Sequence, residues 1–534
     1  MVAQVTNSLV KCILVLFALV SVITNIVLIC LNSSRVPKCQ TSQQIWKYQH
    51  NDHGSIFADL SEDEYQKVRD YMWAQKSLGI SRSATAKPTD NFIFLIDLVL
   101  PKKADALRYL DENVSKPARE ASVVVFYGSN GYLKEYVVGP LGGVLTHRDV
   151  TKEKYNLAEF KITARPVTIG EYMQLFEFIY RQVFAPLEGI LKESFDYSAE
   201  KALNLFEGMP RGVNSGDRET WMSFFRDMSG MYIHPVGFEV LINHQSVNSS
   251  QWSLHKLLYN GQYFDTIEEL KNSYKNDNVT KIVYKKIPNY ASLKPRSKPI
   301  GIGPQQYYPQ GKRFSVKDNQ VMYMDWAFAF GLSSLTGMRV FDIKFRGERI
   351  AYELSVQEAM SVYGSVTPGM MLTKFLDSSI GIGRFAHELV RGVDCPYGAT
   401  YVDTYRYIDT NHTQRFRNSI CVFEHDIGRP LRRHFSDFFH NKYGGLANSA
   451  LVIRTITAIG NYDYMWDFIF YQSGSVEARV HATGYISSSY KIDGSLRFGH
   501  QVAENTLGNI HTHFINFKVD LDILGEYCYF WVGL

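Results

Sequence analysis

The chain has 534 residues, 45% hydrophobic and 21% charged, an ordinary globular composition that excludes a disordered or fibrous polypeptide. Lys and Arg number 57 against 53 Asp and Glu, a net charge of +4, too small and too dispersed for a nucleic-acid-binding face. The 34 Tyr and 33 Phe favour half-buried strands, and the length suits roughly three or four domains.

Residues 1–11 read as a short tail. Cys12–Ser34 carries no charge and Ile13–Leu31 is nearly all apolar, long enough for a ~20-residue membrane span. Two readings stand: an uncleaved signal anchor over 12–31, or a cleaved signal peptide. The long run and its end in Ile29-Cys30-Leu31 favour the anchor, because a signal peptide has a shorter apolar run and a small-x-small cleavage site. Both export the body of the chain, as a single-pass type II protein of the cell membrane or as a secreted one. Sequons at Asn32, Asn113, Asn248, Asn278 and Asn411 fit that route.

Residues 32–54 are polar, like a stem. Ser61-x-x-Glu64 is a capping box, with Tyr65, Val68, Met72 and Trp73 following at helical spacing. Strand-like runs come next at Phe92–Leu100, Ser122–Tyr127 and Leu133–Val138. Thr168-x-x-Glu171 repeats the box, followed by Tyr172, Leu175, Phe176 and Ile179, with strand signals at Met231–Ile233 and Phe238–Ile242. The reading is two small α+β domains, 55–160 and 161–287, each opening on a capped helix. Five of the 17 prolines fall between Pro288 and Pro309, a linker over 288–310. From 311 to 525 short β runs broken by turn residues predict an antiparallel β-sandwich. The fold class expected is thus α+β and mainly β.

Of six cysteines, only Cys395 and Cys421 sit together in a folded region; they read as one disulfide or as two free buried thiols. His511-Thr512-His513 is the clearest chemical motif. Alternation in a strand puts His511, His513, Ile515, Phe517, Val519 and Leu521 on one, apolar side. Neutral imidazoles there need partners or a metal such as copper or zinc, and hydrogen-bonded core histidines remain the other reading. Asn461-Tyr462-Asp463-Tyr464 reads as a polar–aromatic strand edge or turn. Asp377, at the end of an apolar run, reads as a proton acceptor kept dry or as a turn residue.

Asn-Tyr-Asp-Tyr about fifty residues before His-Thr-His resembles the copper amine oxidases, and the membrane-anchored primary amine oxidases and retina-specific types in particular. Phe341–Gly364, Asp377–Asp403, Cys421–His434, Thr483–Ile486 and Leu507–Asp522 read as segments of the same family. The resemblance implies copper- and topaquinone-dependent oxidation of small primary amines by dioxygen to aldehyde, ammonia and hydrogen peroxide, in a homodimer. It makes Tyr462 the topaquinone precursor and site of Schiff-base formation, Asp377 the proton acceptor and Tyr363 the hydroxyl bonded to the quinone. His511 and His513 become two of three copper ligands, Asp520, Leu521 and Asp522 part of a calcium site, and Cys395–Cys421 a disulfide. Gly460 stands at the substrate gate, where a missing side chain implies a roomier channel. The third copper-ligating His of the family lies beyond His-Thr-His. Here the resemblance stops at Gly525, and Glu526–Leu534 matches nothing in the family. The reading is therefore a sandwich cut short, with a catalytically inactive binding or decoy product as the alternative function.

Overall fold

The structure is a computed structural model that describes residues 50–82, 86–112, 114–198, 200–286, 306, 308–436 and 442–523. The expected anchor over 12–31, most of the stem and of the proline-rich linker, Asn32, Asn113 and the 526–534 tail lie outside them. Among the described residues no helix is long and apolar enough to cross a membrane.

Ser61 opens the helix Glu62–Ala74. Its side chain accepts from the Glu64 amide and the Glu64 carboxylate takes the Ser61 amide, satisfying two donors that a helix start leaves free. Tyr65, Val68 and Met72 form the buried face. That face packs on the strands β1 (Asn91–Val99), β2 (Glu120–Tyr127) and β3 (Tyr132–Gly139), whose sheet also holds β4 (Thr146–Asp149) and β5 (Phe160–Lys161). The helix Lys103–Glu112 joins β1 to β2.

Thr168 caps the next helix, Ile169–Ile179, by accepting from the Glu171 amide. The second half of the predicted box does not form, because the Glu171 side chain turns inward to Arg165, Arg218 and His244. The helix continues through a π turn, Tyr180–Phe184, into Ala185–Phe195. It covers an antiparallel meander of β6 (Leu203–Glu207), β7 (Glu219–Arg226), β8 (Pro235–Asn243), β9 (Ser253–Tyr259) and β10 (Gln262–Phe264). Met231–Ile233, expected as a strand, is a single 3-10 turn. Gly230 at φ +68 reverses the chain there so that β7 and β8 lie side by side.

The rest is β. A seven-stranded sheet contains β11 (Phe314–Lys317), β12 (Gln320–Tyr323), β13 (Trp326–Ser333), β14 (Gly337–Phe345), β15 (Glu348–Tyr363) and β16 (Thr373–Phe375) in chain order. Next come β17 (Thr400–Ile408), β18 (Gln414–Asp426), the separate hairpin β19 (Arg432–Ser436) and β20 (Lys442–Leu446), then β21 (Ser449–Ile459), β22 (Tyr462–Tyr471) and β23 (Val476–Gly484). β24 (Ser488–Tyr490), β25 (Gly499–Ala503) and β26 (Thr506–Asn509) make a small sheet. Finally β27 (His511–Leu521) returns to pair with β15 along its length.

The first small domain is not a separate sheet. β1 pairs with β17 through Leu95–Ile408 and Ile96–Tyr407, so its strands extend β23-β22-β21-β18-β17 into one ten-stranded sheet. Trp326, Phe328 and Val340 of the seven-stranded sheet meet Leu451, Trp466 and Phe470 of the ten-stranded one in the main core. Phe328 stacks on Phe470 at 4.1 Å.

Strand alternation in β27 holds only in part. His511, His513, Ile515 and Phe517 are half-buried, but Val519 is 55% and Leu521 42% exposed. The expected apolar side stops being an interior at Phe517, which meets Phe468 of the opposite sheet. Ile515 and Phe517 are the last of these side chains packed against the main core.

Candidate metal–tyrosine site

The site forms where β22 and β27, one from each sheet, lie face to face at one end of the core. Tyr462, Tyr464, Phe468 and Phe470 alternate onto one face of β22. The side chains meet in rungs: the Tyr462 hydroxyl lies 2.7 Å from His511 Nε2, and the Tyr464 hydroxyl 2.9 Å from His513 Nδ1. Phe468 on Phe517 makes a third. The first two join residues 49 apart, so the two strands run in the same direction across the core.

The His511 tautomer follows from its other nitrogen. Nδ1 lies 2.8 Å from the Asn509 carbonyl, which only accepts. Nδ1 therefore carries the proton, Nε2 keeps its lone pair, and the Tyr462 hydroxyl donates to it. The two imidazoles are 5.0 Å apart between ring centres. Burial lowers the proton affinity of His513, and the neighbouring His511 and Lys374 add to that. The His513 ring is thus disposed to be neutral, the form that binds metals.

Tyr363 closes the site from β15. It pairs with His511 across the strands and its ring stacks on the imidazole at 4.6 Å and 13°. The residue is 3% exposed, and burial pushes its phenol up to about 12. Burial likewise raises Tyr462 and Tyr464, so all three stay protonated near neutrality.

Gly460 and Asn461 form the two-residue turn from β21 to β22, with Ile459 opposite Tyr462. Gly460 is exposed at φ +62, the conformation that tight hairpins demand of their first loop residue. Asn461 is buried; its Oδ1 accepts from Lys374 Nζ at 3.1 Å and its Nδ2 donates to the Tyr485 carbonyl at 2.9 Å. The Lys374 ammonium lies 5.3 Å from the centre of the Tyr363 ring. Sequence reasoning passed over Lys374, which nothing in its strand marks. Tyr464 could have been found, because it shares alternation parity with Tyr462.

The structure thus brings Tyr363, Tyr462, His511 and His513 together. Asp377 is half-buried in the one-turn π helix Leu376–Ile380 that follows β16, three residues from Lys374. Among the described residues it shares none of the hydrogen bonds or ring contacts of this cluster. Asp520 and Asp522 lie at the far end of β27, where Lys103 Nζ sits 2.6 and 2.7 Å from their carboxylates. Cys395 and Cys421 form a disulfide. Asn248 and Asn278 are exposed, while Asn411 is half-buried with its Nδ2 donating to the Arg82 carbonyl.

Copper suits imidazole nitrogens but takes more than two protein donors. His511 and His513 offer two, and among the described residues no third His, Cys, Asp or Glu joins them. The donor set fits part of a copper centre and does not complete it.

Two imidazoles on one strand face two phenols on another at the end of a β-sandwich, a pairing of metal-ligand and phenol side chains. Comparison with known proteins gives the family. The copper amine oxidase enzyme domain matches residues 315–531, the N2 domain 64–140 and the N3 domain 179–277. The primary amine oxidase, liver isozyme, of Bos taurus is 40% identical over 508 residues, covering 93% of this chain and 66% of that protein. The human copper-containing amine oxidase 2 is 41% identical over 503 residues, covering 92% and 66%. The crystal structure of Pichia pastoris lysyl oxidase superposes with a TM-score of 0.80 at 27% identity, over 88% of this chain and 66% of that one. The Aspergillus nidulans amine oxidase gives 0.78 at 28%, over 88% and 64%. The chain belongs to the copper amine oxidase family, whose members use copper and a tyrosine-derived topaquinone. It spans just under two thirds of the length of the curated relatives it matches.

Proposed function

We propose that this chain is built for the oxidative deamination of primary amines: amine, dioxygen and water become aldehyde, ammonia and hydrogen peroxide. Bound copper and a topaquinone made from Tyr462 would supply the electrophile and the redox couple. The observation that carries this reading is the Tyr462 hydroxyl donating to His511 Nε2 at 2.7 Å, with His513 5.0 Å beyond.

The chain's own residues then have assignable roles. His511 and His513 would each offer Nε2 to the metal, since Asn509 and Tyr464 engage their Nδ1 atoms; on His511 the metal would take the place at Nε2 that the Tyr462 hydroxyl holds here. Such outer partners fix ring orientation and tautomer. Tyr363 holds the His511 ring flat by stacking, and its protonated hydroxyl serves as a donor beside Tyr462. Lys374 and Asn461 anchor the turn from which Tyr462 projects. Asp377 is the proton acceptor by family correspondence. Gly460 leaves the mouth of the site without a side chain, and a substrate channel there would admit bulkier amines. An N-terminal anchor with an exported, glycosylated body, a homodimer and a calcium ion at Asp520–Asp522 belong to the same reading.

Copper loading in air, followed by a redox-cycling quinone stain, tests it on the full chain. A stain that maps to the Tyr462 peptide is the expected result; no stain in well-folded, copper-treated protein overturns it. The incomplete donor set favours a second reading in that case, a catalytically inactive chain that acts by binding.

A further inference from the structure

The loop between β15 and β16 runs from Gly364 to Leu372 and connects Tyr363, stacked on His511, to Lys374, bonded to Asn461. Its base is closed by the Tyr363 amide donating to the Leu372 carbonyl at 2.9 Å. The Gly364 amide reaches the Ile510 carbonyl, next to His511, at 3.0 Å. The loop therefore touches the site's geometry at both ends. Its outer part rests on the second small domain. The Gly369 amide donates to Glu239 of β8 at 2.7 Å. Arg211 Nη1 and Nη2 donate to the Met371 and Pro368 carbonyls, both at 2.6 Å. Gly369 lies so close that a Cβ there would come within 2.1 Å of Ser223 Oγ and 2.9 Å of Glu239 Oε2. Phe225 of β7 completes the contact, sharing one apolar cluster with Tyr363, Met370 and Leu372.

Arg211 is tied in turn by a two-way backbone bridge to Glu219 at the start of β7, and Glu239 stands within β8. Glu239 is an expensive choice for a merely structural contact. Burial pushes its carboxyl up to about 7, against the hydrogen bond from Gly369, and a buried ionisable group costs stability that a neutral acceptor would not. Such groups concentrate where function needs them.

We propose that Glu239 and Arg211 are positioning residues for the candidate oxidase centre, clamping the β15–β16 loop so that Tyr363 stays stacked on His511 across from Tyr462. The role rests on the amine-oxidase reading for its chemistry, but the clamp itself is testable without it. Full-length Glu239→Ala, Glu239→Gln and Arg211→Met chains are compared with wild type by hydrogen exchange and by quinone yield per copper after aerobic loading. Glu239→Ala removes the acceptor of a buried amide and should speed exchange over 361–375 by about tenfold, with β1 and β9 unchanged. Glu239→Gln keeps an oxygen for the Gly369 amide and should restore most of the protection and of the quinone yield. Arg211→Met, at an exposed position, should act in the same direction as Glu239→Ala without threatening the fold. Unchanged exchange over 361–375, a rise spread evenly over the chain, or a Gln variant as impaired as Ala each overturns the proposal. An unstained wild type sinks the oxidase reading instead, and the exchange data then decide the clamp on their own.

Discussion

Glu171 offers the sharpest energetic prediction. It is fully buried, at 0% exposure. Arg165 donates to it at 3.0 and 2.8 Å, Arg218 at 3.1 and 3.2 Å, and His244 Nδ1 at 2.7 Å. Burial alone would raise the carboxyl; the His244 hydrogen bond and the charges of Arg218 and Arg165 outweigh it and hold the group down to about 2, from 4.5. The His244 ring is itself lowered, by burial first and by both arginines. It is therefore a neutral donor whose Nε2 lies 2.7 Å from the Thr220 hydroxyl. A carboxyl depressed in the folded state contributes stability that is present above its unfolded value, near 4.5, and is lost as the pH falls toward 2. The shift is worth roughly 3 kcal/mol at pH 7 and about half of that at pH 3. Glu171→Gln removes the charge at nearly constant shape and leaves two buried guanidinium groups uncompensated, a loss of the same order. Urea unfolding of wild type and variant at pH 7 and pH 3 should therefore show a gap that narrows by about half on acidification. A gap under about 1 kcal/mol at pH 7, or one of equal size at both pH values, refutes the ion-pair account.

Tyr462→Phe should abolish the quinone stain while costing only about 1 kcal/mol, the worth of one hydrogen bond to His511; stain or amine turnover in the variant would sink the cofactor assignment. Replacing either imidazole, by His511→Ala or His513→Ala, should weaken copper binding measured by titration with paramagnetic resonance. Retained affinity in both would place the metal elsewhere. Lys103→Met frees Asp520 and Asp522, whose buried Oδ2 on Asp522 already has no partner, and should raise terbium luminescence at the pair over wild type; equal signals would show that the ammonium does not screen it. Breaking Cys395–Cys421, 26 residues apart, by Cys421→Ser should cost about 3 kcal/mol by loop entropy, read by chemical unfolding.

Local signals carried far along this chain. The Ser61 box forms in full because Ser61 and Glu64 satisfy each other's amides, and the Glu64 carboxylate does so while also accepting from Arg119. The strands at 92, 122 and 133 fall within two residues of their expected bounds for the same local reason. Where a distant partner competes, local reading fails: Glu171 abandons its cap for two arginines and a histidine. At Met231–Ile233 the turn is set by the neighbouring Gly230. Alternation placed His511 and His513 on the inner face, yet could not foresee that the interior ends at Phe517, because that depends on what the opposite sheet brings to cover Val519 and Leu521.

By itself the sequence determined which residues are chemically capable: a His-x-His pair that a strand must point one way, and a Tyr-x-Tyr pair under the same constraint. Short-range periodicity fixes such sets through backbone geometry alone. Only the tertiary structure decided that the two pairs meet rung for rung, that the Asn509 carbonyl selects the His511 tautomer, and that the first small domain shares a sheet with β17. It also decided that Glu239 and Arg211, more than a hundred residues away, grip the loop behind Tyr363. Those facts depend on which sheets pack together and in what register, and burial of the whole apolar surface sets that, not any local run of residues.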